Sequence, residues 1–187
     1  MNIHSKQFSE FYQYTNYEIN LINSYDPDIL NGYITFYDCT YKNNYEIKKT
    51  ILDIKFIIIN SFSIEDICTI ADSISGDLEY VTSAYRNYCN DISGLGSVVI
   101  IEDLNIKKRV ESLDHKIQLI KYFLTKTIEA LQIIGTGTLL FQSKSIDLYL
   151  KNPGRIRLIN ELLDIGIIPI YQDFNDVVLA RNLDYII

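Results

Sequence analysis

The apolar positions of the chain follow two spacings, which predict an alternation of helices and strands. Over residues 63–89, apolar side chains recur every three or four positions, which is the spacing of one helix face. Over residues 97–104 they form a short β-branched run, which is typical of a buried strand. The predicted order is helix 5–24, strands 32–41 and 45–60, helix 63–91, strand 97–104, helix 112–134, strand 138–144, helix 155–166, and strands 167–172 and 177–185.

Polar residues and glycines mark several of the predicted ends and turns. Ser63 is placed to cap the helix that follows it. Gly76 lies inside the same helical stretch, where it either weakens the helix or breaks it. Ser112 and Asp114 predict another helix start, with an acid in the first turn. The last two strands are expected to form a hairpin around residues 173–176.

This order predicts a single domain, residues 1–187, of the α/β class. A chain of 187 residues is long enough for one substantial core. The central strand–helix–strand unit predicts a parallel pair of strands, and the segments on either side add antiparallel neighbours. We therefore expect a mixed sheet with helices on both faces.

The composition excludes several broad classes of protein. Apolar residues make up 48% of the chain, too many for a disordered protein. The net charge of −7 argues against general nucleic-acid binding, which needs a basic surface. The apolar runs are too short to span a membrane, and the first residues do not resemble a signal peptide. Three cysteines and two histidines without metal-ligand spacing fit reduced thiols, so we expect a cytoplasmic protein without a metal.

Three stretches in the second half of the chain together resemble one enzyme superfamily. SVVIIEDLNI, residues 97–106, resembles a central strand that separates from its neighbour. KKRVESLDHKIQLIKYFLTKTIEAL, residues 107–131, resembles the turn and helix that follow such a strand. RIRLINELLDIGIIPIYQ and VVLARNLDY, within residues 155–185, resemble a closing helix and a last pair of strands. In this order and spacing the stretches are similar to the GNAT superfamily of acyl-CoA-dependent N-acetyltransferases.

The GNAT resemblance implies a fold and a reaction. The fold would be the GNAT-like acyl-CoA N-acyltransferase fold, in which the central strand separates from its neighbour to admit acyl-CoA. The acyl group would pass to an amine, with Glu102 as the base. Tyr149, just after strand 138–144, is the candidate to replace the acid with which the superfamily protonates the departing thiolate. The residues expected to bind acetyl-CoA are Leu104, Ile106, Arg109, Leu113, Asp114 and His115.

The cofactor turn departs from the superfamily, and so does the closing helix. The superfamily's turn carries glycines near an arginine, whereas RVESLDHKI, residues 109–117, contains no glycine. Glu111 and Asp114 would face phosphate oxygens there, and two anions about 4 Å apart repel by roughly 4 kcal/mol at an effective dielectric of about 20. Four residues before Gly166, where the superfamily often places a tyrosine, stands Leu162.

Three interpretations stay open. An active enzyme, of bacterial or phage origin given the bias toward Ile, Asn, Tyr and Lys, predicts an open cleft lined by Glu102 between strands 97–104 and 138–144. An inactive GNAT-like module that binds a protein partner through an acidic, tyrosine-rich surface predicts that Leu104 and Phe141 fill this cleft. An unrelated α/β fold predicts that the two strands are not adjacent or not parallel.

Overall fold

A computed structural model describes residues 15–42, 45–61, 63–89, 97–107, 112–134, 137–146, 152–174 and 176–183 of the chain. Within these residues the protein forms seven strands and five helices. In chain order they are β1 (Asn16–Asn23), β2 (Ile29–Lys42), β3 (Tyr45–Asn60), α1 (Ile64–Ile74), α2 (Gly76–Cys89), β4 (Ser97–Ile106), α3 (Leu113–Ile133), β5 (Thr138–Gln142), α4 (Ser143–Ile146), α5 (Asn152–Leu163), β6 (Ile168–Gln172) and β7 (Val177–Asn182).

The seven strands form one mixed sheet in the order β1-β2-β3-β4-β5-β7-β6. Every neighbouring pair is antiparallel except β4 and β5, which are parallel. A parallel pair needs a long crossover, and α3 lies in the segment that connects these two strands. The predicted parallel pair and the predicted hairpin of the last two strands are confirmed. The unrelated-fold interpretation expected the opposite arrangement of β4 and β5.

Two hydrophobic clusters, one on each face of the sheet, hold the helices in place. Val99 and Ile101 of β4 pack with α3 and α5, whereas Val98 and Ile100 pack with α1 and α2. This alternation follows from the two-residue period of a strand, and it explains why the first half of β4 is apolar on both faces. The predicted placement of helices on both faces of a mixed sheet is confirmed.

Polar contacts fix the helices further on each face. On the first face, Lys121 of α3 reaches across to α5, where its Nζ lies 3.0 Å from Glu161 Oε2 and 2.6 Å from Asp164 Oδ2. On the other face, the Tyr85 hydroxyl of α2 lies 3.1 Å from Thr138 Oγ1 of β5. The helices on both sides of the β4–β5 pair are therefore tied to one another or to the sheet.

The predicted helix over residues 5–24 is wrong in its last part, where the chain forms strand β1. All eight residues of β1 pair with β2 in antiparallel register. The side chains alternate accordingly, and Tyr17 contacts Phe36 while Ile19 packs against the same cluster. Pairing with a neighbouring strand outweighs a weak helical spacing, because strand preference depends on tertiary context. The first part of the predicted helix lies outside the described residues.

For the other helices and strands, the predicted starts and breaks agree with the structure better than the predicted lengths do. Ser63 caps α1 as predicted, and its Oγ accepts a hydrogen bond from Asp66 N at 3.1 Å. The break predicted near Gly76 is confirmed, because Ser75 has an extended backbone that separates α1 from α2. β5 ends at Gln142, earlier than predicted, because the chain turns into α4. α5 begins and ends three residues earlier than predicted.

Candidate functional site

At the carboxyl end of the parallel pair, β4 continues beyond the end of β5. Pairing between β4 and β5 ends at Ile101 and Phe141, after which β5 stops at Gln142 and β4 continues to Ile106. The second half of β4 keeps β3 as its neighbour but pairs with no residue of β5. We call this segment, Glu102–Ile106, the β4–β5 divergence. Ligands of open α/β sheets bind at the carboxyl ends of parallel strands, so the divergence is the candidate site.

A β-bulge lies at the start of the divergence. Ile101 pairs with Phe56 and Asp103 pairs with Lys55, so Glu102 is an extra residue in β4. Bulges redirect side chains and are frequent beside active sites. In this protein the bulge removes Glu102 from the strand register and leaves its carboxylate beside Lys55.

Glu102 forms an ion pair with Lys55 of β3. Its Oε2 lies 2.9 Å from Lys55 Nζ, and the two side chains are 24% and 43% exposed. In the part of the chain described, no other hydrogen-bond donor reaches this buried oxygen. Hydrogen bonding to Glu102 outweighs burial and raises the pKa of Lys55. Lys55 therefore stays protonated near neutral pH, and its ammonium group holds the Glu102 carboxylate in place.

Gln142 lies at the end of β5, one position beyond the last residue that pairs with β4, and is 2% exposed. Its Nε2 donates to the Asp77 carbonyl oxygen at 3.3 Å. Its Oε1 is buried and has no hydrogen-bond partner among the described residues. A buried acceptor without a donor destabilises a protein by about 1–3 kcal/mol. This carbonyl is therefore an acceptor that a bound N–H or O–H group can satisfy.

The first turn of α3 follows the divergence in the chain and is exposed. Ser112 occupies the N-cap position with φ −94° and ψ 133°, but its hydroxyl makes no capping hydrogen bond. The predicted cap is therefore correct in position and wrong in its side-chain contact. Leu113 is 41% exposed, and Asp114 and His115 are exposed as well. Helix starts attract anions through their N–H groups and the helix dipole.

Asp114 forms an ion pair with Arg157 of α5 across the face of the sheet. Arg157 Nη1 lies 2.6 Å from Asp114 Oδ1, and both side chains are more than half exposed. The guanidinium offsets the negative charge that the sequence places at this helix start. The offset is modest because exposed ion pairs are screened by water. The sequence analysis missed Arg157, since nothing in RIRLINELL distinguishes it from an ordinary surface arginine.

Apolar side chains fill the α3 face of the divergence. Leu104 is 5% exposed, and Phe141 and Ile146 are buried with it in the cluster that contains α3. Ile106 packs partly against the same cluster. Leu162, at the position where the superfamily often has a tyrosine, is fully buried there. Burial of Leu104 and Phe141 is the feature that the binding-module interpretation expects of this region.

The predicted site residues fall into three groups. Glu102 alone presents a reactive side chain at the bulge, whereas Leu104 and Ile106 contribute their side chains to the core. The second group forms the first turn of α3 and consists of Leu113, Asp114 and His115. Arg109 and Tyr149 lie outside the described residues. The structure therefore places a carboxylate on β4 and an exposed helix start on α3, the two elements that residues 107–112 connect.

Two residues of this region escaped the sequence analysis for different reasons. Gln142 had a signal, because it is the first polar residue after the apolar run LLF of β5. Lys55 had none, since it lies where charged and apolar residues alternate, as on many half-buried strands. Its role depends on the register between β3 and β4, which a single sequence does not show.

Among the described residues, no group of three or more His, Cys, Asp and Glu side chains is arranged to hold a metal ion. No helix in the described part of the chain is long and apolar enough to cross a membrane. Neither a protein-family model nor a curated protein matches the sequence. The function is therefore argued from the geometry of the divergence and of α3.

Proposed function

We propose that this chain is a GNAT-like protein that binds acyl-CoA at the β4–β5 divergence and transfers the acyl group to an amine. The observation that carries the proposal is the path of β4. The strand continues past the last residues that pair with β5, bulges at Glu102 and precedes an α3 start without a side-chain cap. A gap in strand pairing suits an extended pantetheine chain, and a helix start suits its pyrophosphate.

Glu102 is the proposed general base. The amine nitrogen attacks the thioester carbonyl carbon, the carbon–sulfur bond breaks, and the amine proton passes through water to the Glu102 carboxylate. The thiolate leaves with the bonding electron pair and takes up a proton, for which Tyr149 is the residue predicted from the sequence. Lys55 orients the Glu102 carboxylate before the reaction and keeps one of its oxygens paired.

The first turn of α3 is the proposed binding site of the pyrophosphate. The positive end of the helix dipole attracts phosphate oxygens there. Asp114 repels them, and Arg157 reduces this repulsion because its guanidinium lies 2.6 Å from Asp114 Oδ1. The two effects oppose each other on one exposed surface. We therefore expect acyl-CoA to bind, but less tightly than at a glycine-rich turn with no acid.

Binding of acetyl-CoA tests the proposal. The unfolding temperature should rise saturably, because a ligand at about 100 times its dissociation constant stabilises the folded state by about 2.7 kcal/mol. Arg157→Glu should weaken the shift, since it adds negative charge beside Asp114. Arg86→Glu is the matched control, because Arg86 lies exposed on α2, on the opposite face of the sheet. No shift at acetyl-CoA concentrations up to about 1 mM would contradict binding.

Acyl transfer tests the role of Glu102 separately from binding. Glu102→Gln should keep the acetyl-CoA thermal shift but lower the release of free thiol, with a panel of primary amines as acceptors, by about 100-fold or more. Asp103→Asn is the control, since Asp103 is the exposed neighbouring acid on β4. Equal rates for the wild type and Glu102→Gln would remove Glu102 from the mechanism.

A non-catalytic binding module is the second candidate, and two observations favour it. Leu104, Phe141 and Ile146 are buried together at the divergence. Tyr41 and Tyr45, at the far end of β2 and the start of β3, are 76% and 77% exposed. Tyrosine provides large contact area at low entropic cost, which suits a protein-binding surface. Absence of any acetyl-CoA shift, with thiol release no faster than the uncatalysed rate, is the result that this candidate expects.

A further inference from the structure

A cavity of about 390 Å³ lies between α5 and the β6–β7 hairpin. Its apolar walls include Ile159 of α5, Pro169 of β6 and Val177 of β7. Its charged lining residues are Arg155, Asp173 and Asp176. None of the residues proposed to act in acyl transfer lines it. The volume falls at the lower end of the range of small-molecule sites, which combine apolar walls with a few polar groups.

Asp176 is the polar group that gives this cavity a chemical preference. The residue is 7% exposed. Its Oδ1 accepts hydrogen bonds from Ser143 Oγ at 2.6 Å and Lys144 N at 3.2 Å. The same oxygen accepts from Val177 N at 2.8 Å. Its Oδ2 is buried and has no hydrogen-bond partner among the described residues. A buried carboxylate oxygen without a donor is unfavourable, so a ligand that donates to it gains binding free energy.

The second acid of the cavity, Asp173, is engaged with the protein. Asp173 Oδ1 accepts from Asp176 N at 2.8 Å, and Asp173 Oδ2 accepts from the Tyr80 hydroxyl at 2.8 Å. Burial and the Asp173 carboxylate raise the pKa of Tyr80, so Tyr80 remains a donor near neutral pH. Among the described lining residues Arg155 is the one cation, so the two carboxylates leave these residues with a formal excess of one negative charge.

We propose that this cavity binds a small organic monocation that has a primary ammonium group and a short apolar body. The ammonium group donates a hydrogen bond to Asp176 Oδ2. This hydrogen bond is stronger than one between neutral groups because both partners are charged. The apolar body contacts Ile159, Pro169 and Val177. One positive charge neutralises the excess negative charge of the lining. This site is independent of acyl transfer at Glu102.

Titration calorimetry with hexylammonium chloride tests the site, with 1-hexanol as the neutral probe of similar shape. The wild type should bind hexylammonium saturably and 1-hexanol at least about tenfold more weakly. Asp176→Asn should weaken hexylammonium binding by about tenfold or more, since the amide keeps an acceptor toward Ser143 but loses the charge. Asp72→Asn, an exposed acid on α1, is the control of equal charge change and should bind as the wild type does.

A second variant keeps the test decisive if Asp176→Asn does not fold. Asn160→Trp places a large side chain in the cavity from the exposed side of α5 and leaves the Asp176 hydrogen bonds untouched. It should abolish hexylammonium binding. The proposal is overturned if 1-hexanol binds as tightly as hexylammonium, if Asn160→Trp binds it unchanged, or if the wild type shows no saturable heat up to about 10 mM.

Discussion

Glu102 of β4 and Asp176, which lies just before β7, are both carboxylates, but their surroundings differ. Glu102 lies on a bulge, is 24% exposed and pairs with Lys55, which is itself 43% exposed. Asp176 is 7% exposed and accepts three hydrogen bonds on one oxygen. Low local dielectric strengthens a satisfied polar contact and raises the penalty for an unmade one. The comparison indicates that Asp176 holds the β5–β7 junction together, whereas Glu102 can change its partner.

Removal of the Asp176 carboxylate should have the largest effect on stability. Asp176→Ala leaves Ser143 Oγ and Lys144 N without their acceptor, and Val177 N keeps only its 3.3 Å hydrogen bond to Ser143 Oγ. We expect the free energy of unfolding to fall by about 3 kcal/mol or more, measured by urea denaturation. A loss below about 1 kcal/mol would show that water replaces the carboxylate and would end the contrast with Glu102.

A smaller effect, of the opposite sign, is expected at Gln142. Gln142→Met keeps the length of the side chain and removes the buried Oε1, which has no partner among the described residues. It also removes the hydrogen bond to the carbonyl oxygen of Asp77, which is an exposed residue. We expect stability to stay unchanged or to rise by up to about 1 kcal/mol in the same denaturation assay. A clear loss of stability would mean that the Gln142 carbonyl is already satisfied.

At Glu102 the expected effect on stability is smaller still. Glu102→Gln removes one charge of a partly exposed ion pair, which water screens. We expect a change in the free energy of unfolding of less than about 0.5 kcal/mol. Lys55→Met serves as the matched variant from the other side of the pair. If Glu102→Gln destabilised the protein as much as Asp176→Ala, the ion pair would be structural and the two carboxylates would not differ.

Glu18, a surface carboxylate far from the site, gives the smallest expected effect and a pH dependence of known sign. Hydrogen bonds from Lys48 and Tyr37 lower the pKa of Glu18 below its ordinary value of 4.5. Its contribution to stability is therefore complete above that pH and is lost as the pH falls through the lowered pKa. Glu18→Gln should flatten the fall of the unfolding temperature below about pH 4.5, compared with the wild type. If the unfolding temperatures of the wild type and Glu18→Gln fell identically with pH, Glu18 would make no such contribution.

The sequence predicted the second half of the fold better than the first, for a physical reason. β4 and β5 contain unbroken apolar runs and α3 is a long helix with a clear apolar face, and these signals are local. β1 is a strand because each of its residues pairs with β2, and that pairing depends on residues elsewhere in the chain. The helical spacing of the N-terminal stretch carried no information about this partner.

The candidate site was predictable in its chain position but not in its contacts. Glu102 was found because it ends an apolar run at the point where a parallel strand meets its helix. Its pairing with Lys55 follows from the bulge that shifts the register between β3 and β4. Arg157 meets Asp114 only because α5 packs beside α3. Such contacts are set by tertiary packing, and residue types alone do not show them.

A titration with acetyl-CoA, followed by backbone amide NMR, tests acyl-CoA binding at this site most directly. Binding there should produce saturable shifts that are largest for Leu104–Ile106 of β4 and for Leu113–His115 of α3. The shifts at the same amides should be weaker in Arg157→Glu. If acetyl-CoA produces no saturable shift, or if its shifts lie elsewhere in the chain, the β4–β5 divergence is not an acyl-CoA site.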